Sequence, residues 1–358
     1  MERAHHVRPA ANALTGRHAG DLPGGAGGDL IDPMSPRPPL VAILCPREFA
    51  FSEDAALIET AELAGVAEVR TFRLDFDAEI PSEVLGAEAV ILWHNIPCTE
   101  AAIASLSRCR ALIRNGVGYD SVDTAAAARR GIPVCNVPDY GTEEVADHAI
   151  ALALALCRQL FPLDAEAKRL GWTIGVAAKM RRLSSLTFGI VGLGRIGTAA
   201  ALRAKALGFR VLFFDPYLPS GAHKAVGVRR AASLDELLQE SDVLSIHCPS
   251  STETRGMIGA REIALLKPTA YVVNTARGDI VQKCPLFEAL RAGRIAGAGL
   301  DVVEGEPLRT AEEAATPNLI VTCHAAFCSP EGLVEMRTTS ARIARAAIRG
   351  EPVWNRVN

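Results

Sequence analysis

The first chemical signal is a spacing of glycines. Gly192, Gly194 and Gly197 stand in Gly192-Leu193-Gly194-Arg195-Ile196-Gly197, a G-x-G-x-x-G that closes the apolar run beginning at Leu186. A strand that turns into a helix through such a sequence is the fingerprint of a dinucleotide pyrophosphate site. Gly192 permits the tight turn, Gly194 lets the backbone approach the phosphates, and Gly197 lets the new helix lie against the strand. Arg195 and Ile196 open that helix, whose N-terminus faces the anion. Glycines also end ordinary strands, so the surroundings carry the argument. The helix is stopped by Gly208, and a second strand, Arg210 to Phe214, ends in Asp215. An acidic residue about 20 positions past the glycines takes the ribose hydroxyls. Its charge repels a 2′-phosphate and no arginine follows it directly, so NAD is expected rather than NADP.

Three further strand ends carry polar groups, where ligands of open sheets bind. They are Asn274-Thr275-Ala276-Arg277-Gly278, Gly299-Leu300-Asp301-Val302-Val303-Glu304-Gly305-Glu306-Pro307, and Thr322-Cys323-His324-Ala325-Ala326. A guanidinium such as Arg277 matches a carboxylate bidentately. An imidazole such as His324 exchanges protons near neutrality, and a carboxylate beside it orients the ring and favours its charged form. Glu304 and Glu306 both stand where that carboxylate belongs. Each residue also has a bland reading: Arg277 as a surface arginine, either glutamate as a solvated charge, His324 as a hydrogen-bonded core histidine. His148 and His247 are read as core histidines. Cys323, His324 and Cys328 lack a second ligand pair at a zinc-like spacing, and no metal is expected.

The elements that must position these groups follow from the pattern of the chain. Residues 1–38 combine clustered Gly and Pro with almost no apolar periodicity and are expected to form a flexible, dispensable tail. From Leu40 short apolar runs (40–45, 89–93, 111–114, 134–137) alternate with helical segments around 55–64 and 120–130, which predicts a parallel α/β sheet. A helix from Thr142 to Leu160 is apolar on nearly every side and is expected between domains or subunits. Six strands follow, at 187–191, 210–214, 243–247, 270–274, 296–300 and 319–322, the count of a doubly wound dinucleotide domain. Ser329-Pro330-Glu331 starts a last helix. The expected division is a first part of a substrate domain at 39–138, a nucleotide domain at 139–323, and a return to the substrate domain at 324–358.

Composition narrows the function classes. The chain has 358 residues, enough for two cores, and a formal net charge of −3 without a basic field, which argues against nucleic acid. Nine cysteines without repeated spacing suit reduced thiols in the cytoplasm. The longest apolar run is too short for a bilayer, and the first residues lack a secretion signal.

With the strand-end blocks in view, together with Gly116-Val117-Gly118-Tyr119-Asp120 and Asp215-Pro216-Tyr217, the chain resembles the NAD-dependent D-2-hydroxyacid dehydrogenases over about Leu40 to Asn358. Within them it is most similar to the branch containing the C-terminal-binding proteins. The resemblance implies two doubly wound parallel-sheet domains, a Rossmann NAD domain inserted into a smaller flavodoxin-like substrate domain. It implies that Arg277 binds the substrate carboxylate and carbonyl, that Glu306 pairs with His324, and that His324 exchanges the proton. It assigns the amides of Val117 and Gly118 to the carboxylate, Asp301 to the nicotinamide amide, and Cys248, Pro249, Thr254, Thr275 and Ala276 to the cofactor groove. His94 is similar in position to a residue facing the substrate. The chain departs from the family in Cys323, where proline is usual, in Val281 to Pro285 after the arginine loop, and in Phe327, where the C-terminal-binding proteins carry tryptophan. The wall of the substrate pocket is therefore expected to differ.

The resulting expectation is an enzyme interconverting a 2-oxo acid and a D-2-hydroxy acid with NAD(H), a homodimer joined through its nucleotide domains that closes over its ligands. Two other classes stay open: an NAD(H)-sensing scaffold like the C-terminal-binding proteins, and a phosphite dehydrogenase-like enzyme. Formate is disfavoured because Glu306 stands where the formate enzymes of this kind carry glutamine.

Overall fold

The computed structural model describes residues 37–47, 56–75, 78–94 and 96–358, and Pro38–Asn358 form one compact unit. The tail expected over 1–38 lies outside the described residues, apart from Arg37 and Pro38.

The first sheet is made by β1 (Leu40–Pro46), α1 (Leu57–Glu62), β2 (Glu68–Leu74), β3 (Ala89–Leu92), α2 (Glu100–Ser105), β4 (Ala111–Arg114), α3 (Thr124–Arg129) and β5 (Val134–Cys135). Its strand order is β2-β1-β3-β4-β5 and every pairing is parallel, which is the flavodoxin-like order. β3 and β4 are buried at every position, so they read as unbroken apolar runs rather than as alternation. β2 lies at the edge. It alternates charged with apolar residues, as an edge strand does, and a reading based on apolar runs passes over it. The helix expected over 120–130 starts later because Asp123 caps it, accepting from the amide of Ala126.

α4 (Thr142–Cys157) and α5 (Leu160–Lys168) lead to the second sheet. The helix expected to reach Leu160 ends at Cys157, and Gln159 turns the chain at φ 52°. The buried residues of α4, among them Ala149, Leu152, Ala153 and Leu156, pack with Phe188, Ile190, Tyr271 and Val273. Its apolar character is thus largely satisfied inside this chain.

Next come β6 (Thr187–Val191), α6 (Arg195–Ala206), β7 (Arg210–Phe214), α7 (Ala222–Val226), β8 (Arg229–Arg230), α8 (Leu234–Glu240), β9 (Val243–Ile246), α9 (Ala260–Leu265), β10 (Tyr271–Asn274), α10 (Lys283–Arg291), β11 (Gly297–Leu300), α11 (Ala311–Ala314) and β12 (Leu319–Val321). The order is β12-β11-β10-β9-β6-β7-β8, again all parallel. Counted from β6, this is the Rossmann order 3-2-1-4-5-6 with one strand added at the edge. The six expected strands are present; the seventh is β8, two arginines too short and too polar to read as a strand.

α12 (Pro330–Arg349) then returns to the first sheet. Met336, Ile343 and Ala344 join the core of Ile91, Trp93 and Ile113. Arg337 reaches the fully buried Glu59 at 2.6 Å, and Ser340 Oγ donates to Asn115 Oδ1 at 2.8 Å. The chain ends beside β5, where Val357 N donates to Val134 O. The molecule is therefore two parallel-sheet α/β domains, the seven-stranded one inserted into the five-stranded one. Among the described residues no single helix is long and apolar enough to cross a membrane; only the bent pair α4 and α5 passes that test together, and α4 is largely buried in the fold.

Candidate active site

The C-terminal ends of β3, β4, β9, β10 and β11 face one cavity of about 450 Å³. Parallel strands all present these ends on one side of a sheet, so residues far apart in the chain meet there.

At the end that carries the glycine turn, the backbone does most of the shaping. Gly192 has φ 88°, and a Cβ there would lie 2.9 Å from the amide nitrogen of Cys248. A Cβ on Gly197 would lie 2.0 Å from the carbonyl oxygen of Gly192, whereas one on Gly194 would meet nothing within 4 Å. The turn is closed on the protein side and open on the side where a pyrophosphate would come. Asp215 is turned toward it: its carboxylate accepts from Leu193 N at 3.0 Å, Tyr217 N at 2.9 Å and Leu218 N at 3.1 Å. Arg195 pairs with Asp139 at 2.8 Å. Cys248, Pro249, Thr275, Ala276, Arg195 and Ile196 line the cavity. The Thr275 hydroxyl is buried without a protein partner, as a group awaiting a ligand would be. Burial pushes the Cys248 thiol up to about 12, so it stays neutral. Thr254 holds the loop instead of lining it, donating to Pro249 O at 2.6 Å and accepting from Ser251 N at 2.8 Å. These features fit a dinucleotide.

At the other end side chains dominate. His324 Nδ1 lies 2.7 Å from Glu306 Oε1. Glu304 points elsewhere and caps α10 by accepting from Lys283 N at 2.9 Å, so the choice that spacing left open is made by the turn between them. His324 sits at φ 53° in a loop tied to Asp301. The Asp301 carboxylate accepts from Thr322 Oγ1 at 2.5 Å, Ala325 N at 2.9 Å and Ala326 N at 3.0 Å, and the Asp301 carbonyl accepts from His324 N at 2.9 Å. Asp301 borders the cavity, yet its carboxylate is engaged in shaping the histidine loop. His148, read as a core residue, bonds Thr322 Oγ1 at 3.0 Å and so belongs to the same support.

Arg277 donates through Nε to Asp120 at 2.9 Å and through an η nitrogen to Ala276 O at 2.8 Å. Its other η nitrogen lies against Gly118, where a Cβ would stand 1.5 Å away. Val117 and Gly118 line the cavity, as does His94. The ring of His94 is 5.3 Å from that of His324 and 5.8 Å from that of Phe327, centroid to centroid. Burial, then the charges of His324, Arg114 and Arg277, push the His94 imidazole down to about 2, so it is neutral at any working pH.

Sequence reasoning passed over Arg114 and Asp120 as site groups. Arg114 is 7% exposed, lines the cavity, and is pushed down to about 10 by burial and by Arg277. The available signal was a charged residue closing the otherwise apolar run of β4. Among the described residues, no cluster of three or more His, Cys, Asp or Glu is placed to hold a metal.

Residues 150–326 match the family model for D-isomer specific 2-hydroxyacid dehydrogenase, NAD binding domain. C-terminal-binding protein 1 of Caenorhabditis elegans is 33% identical over 328 residues, covering 89% of this chain and 44% of that protein. D-3-phosphoglycerate dehydrogenase of Methanocaldococcus jannaschii is 34% identical over 306 residues, covering 86% of this chain and 57% of that protein. The chain belongs to the D-isomer specific 2-hydroxyacid dehydrogenase family. It spans about half the length of these two curated relatives. The fold is shared with the D-lactate dehydrogenase of Aquifex aeolicus, solved with NAD and lactic acid, at a TM-score of 0.78 and 29% identity over 87% of this chain and 96% of that one. The residues matched by the NAD binding domain model, 150–326, contain the whole seven-stranded sheet.

Proposed function

We propose that this protein is an NAD-dependent dehydrogenase that interconverts a 2-oxo acid and a D-2-hydroxy acid. The observation that carries the reading is the His324–Glu306 pair at 2.7 Å, whose histidine lines the same cavity as Arg277, Val117 and Gly118. When bound, the nicotinamide supplies or accepts the hydride at the 2-carbon. Arg277, held by Asp120 and Ala276, keeps part of its guanidinium free for the substrate carboxylate. Glu306 occupies Nδ1 of His324, which leaves Nε2 to give a proton to the carbonyl oxygen in reduction and to remove it in oxidation. Phe327, Val117 and Met336 form an apolar wall for the rest of the substrate. The residue division 39–138 with 324–358 against 139–323 makes this cavity an interdomain cleft, and closure of the two parts excludes water from it.

Initial rates with NADH over a panel of 2-oxo acids test the reading. Strong turnover of one acid supports it, while NADH binding without turnover of any would favour the scaffold reading, which the similarity to C-terminal-binding protein 1 keeps in view. The proposed assembly is a homodimer joined through the nucleotide domains; because α4 is largely buried within its own chain, the contact falls on the segment after it. Phe161 on α5 and Leu170, Trp172 and Ile174 after it are exposed, Trp172 at 95%, an apolar set that a second copy would cover. A monomeric mass by light scattering at micromolar concentration would sink this assignment. The unpaired state of all nine cysteines suits the reducing cytoplasm.

A further inference from the structure

The charges around the cavity are matched, with one exception. Arg277 is tied to Asp120 at 2.9 Å, Arg195 to Asp139 at 2.8 Å, and His324 to Glu306 at 2.7 Å. His94 and His247 are neutral, pushed down to about 2 and about 4, in both cases chiefly by burial. The carboxylate of Asp301 is spent on Thr322 and the amides of Ala325 and Ala326. Arg114 is the exception. Its guanidinium donates to Asn115 O, its Nε is buried without a partner, and among the described residues no carboxylate forms an ion pair with it; the charge of Asp120, already bonded to Arg277, acts on it only as a lesser influence than burial and Arg277. A buried cation without a counter-charge is costly, and a substrate carboxylate relieves that cost.

We propose that Asp120 sets the charge of the substrate: by neutralising Arg277 it leaves a single unmatched cation, Arg114, and restricts the site to 2-oxo acids with one carboxylate. The inference rests on the 2-oxo acid reading above. Arg277 still offers its free edge to the 1-carboxylate, but the charge available to the substrate is that of Arg114 alone. A second carboxylate on the same molecule would find every other cation matched and would share the cavity with the carboxylate of Asp120. Burial pushes that carboxyl up, but the charge and hydrogen bond of Arg277 outweigh it and hold the group below its usual value, so it is ionised at neutral pH. The wall of Val117, Phe327 and Met336 suits the apolar tail of a monoacid.

The test compares acids of equal carbon count with one or two carboxylates: 2-oxopentanoate against 2-oxoglutarate, and 2-oxohexanoate against 2-oxoadipate. The quantity read is the diacid-to-monoacid ratio of kcat/KM with NADH. For a member that is not turned over, the inhibition constant against the acid that is turned over replaces it. The wild type should favour the monoacid in both pairs, and Asp120→Asn should raise the diacid ratio about tenfold by removing a like charge. Both members of a pair place the same 1-carboxylate and carbonyl against Arg277 and His324. Any loss of guanidinium orientation therefore falls on both and cancels in the ratio. Asp120→Glu, which keeps the charge, should keep the wild-type ratio, and NADH binding followed by fluorescence should show all three proteins folded. A wild type that prefers the diacids, an unchanged ratio in Asp120→Asn, or an equal rise in Asp120→Glu would overturn the assignment of Asp120. Absence of turnover with every 2-oxo acid in the wild type is a different result: it removes the dehydrogenase reading itself.

Discussion

The two ends of the cavity are built by different means. At the proposed cofactor end, backbone sets the shape: a glycine turn, the N-terminus of α6, and amides turned toward Asp215. At the proposed substrate end, charged side chains from the ends of several strands meet: Arg114 at the end of β4 with Asp120 after it, Arg277 after β10, Glu306 after β11 and His324 after β12. A backbone-built end is robust to side-chain replacement and depends on local sequence. A side-chain-built end depends on how two domains sit together and fails when a single group is removed. The contrast teaches where specificity can change without losing the cofactor.

The sharpest cut between the two ends is His324→Gln. Turnover of the preferred 2-oxo acid should fall by about 10²- to 10⁴-fold, the range for loss of a general acid, while NADH affinity, read by fluorescence titration, stays within about twofold on this separation of roles. A matched loss of NADH affinity would break the comparison. Next in size is Gly118→Ala, the place where the substrate end relies on bare backbone. The new methyl would occupy the space of the Arg277 guanidinium. Displacing that group by about 1 Å should cost up to about 10²-fold in kcat/KM, carried mainly by KM for the 2-oxo acid. An unchanged KM would show that Arg277 does not hold the substrate from its observed position.

The same contrast explains what could be read from the sequence. Gly192 to Asp215 is a local pattern, so the glycine spacing together with its flanking strand and helix pointed to a tight turn here, and the structure puts the Asp215 carboxylate on the amide of Leu193. The apolar runs of β3, β4 and β6 were legible because buried parallel strands cannot alternate. β2, alternating and at the edge, and β8, two arginines long, gave no such run. Glu304 and Glu306 could not be separated by spacing, because only the path of the turn decides which carboxylate reaches His324. Asp120 and Arg277 are 157 positions apart, and nothing local announces their bond. Arg114 was visible only as the end of a strand; its burial beside a cavity is a property of the packed sheet and of α12 behind it.

A smaller effect tests the one place where the cofactor end relies on charge. Asp215 should make the wild type prefer NADH over NADPH, and Asp215→Ser should narrow the ratio of kcat/KM values by about tenfold, the worth of a charge-assisted hydrogen bond. Arg230, on β8, reaches across to that loop and donates to the carbonyls of Asp215 and Leu218, so a cation already stands beside the loop that would face a 2′-phosphate. A wild type equally efficient with NADPH would mean that Arg230, unseen from the sequence around Asp215, governs the choice.

The smallest effect concerns stability. His94 is buried and neutral in the folded protein, with its imidazole pushed from 6.5 down to about 2, and His247 is pushed to about 4. In the unfolded chain both titrate at about 6.5. Below that pH the unfolded state therefore binds protons that the folded state refuses, and stability falls as pH drops. Between about pH 6 and 4 each histidine adds a slope of up to about 1.4 kcal/mol per pH unit; below about pH 4 His247 also charges in the folded state, and only His94 continues to contribute. Asp120, held below its usual value, adds a loss in the same direction only at lower pH still, as its carboxylate is protonated. His94→Gln should lower the steepness of the decline between pH 6 and 4 by about half, measured as urea-unfolding free energy against pH. The substrate end, with His94 at its wall, would then prove to be the acid-labile end of the cleft. A slope unchanged by His94→Gln would place the acid sensitivity elsewhere and show that His94 can take up a proton without unfolding the site.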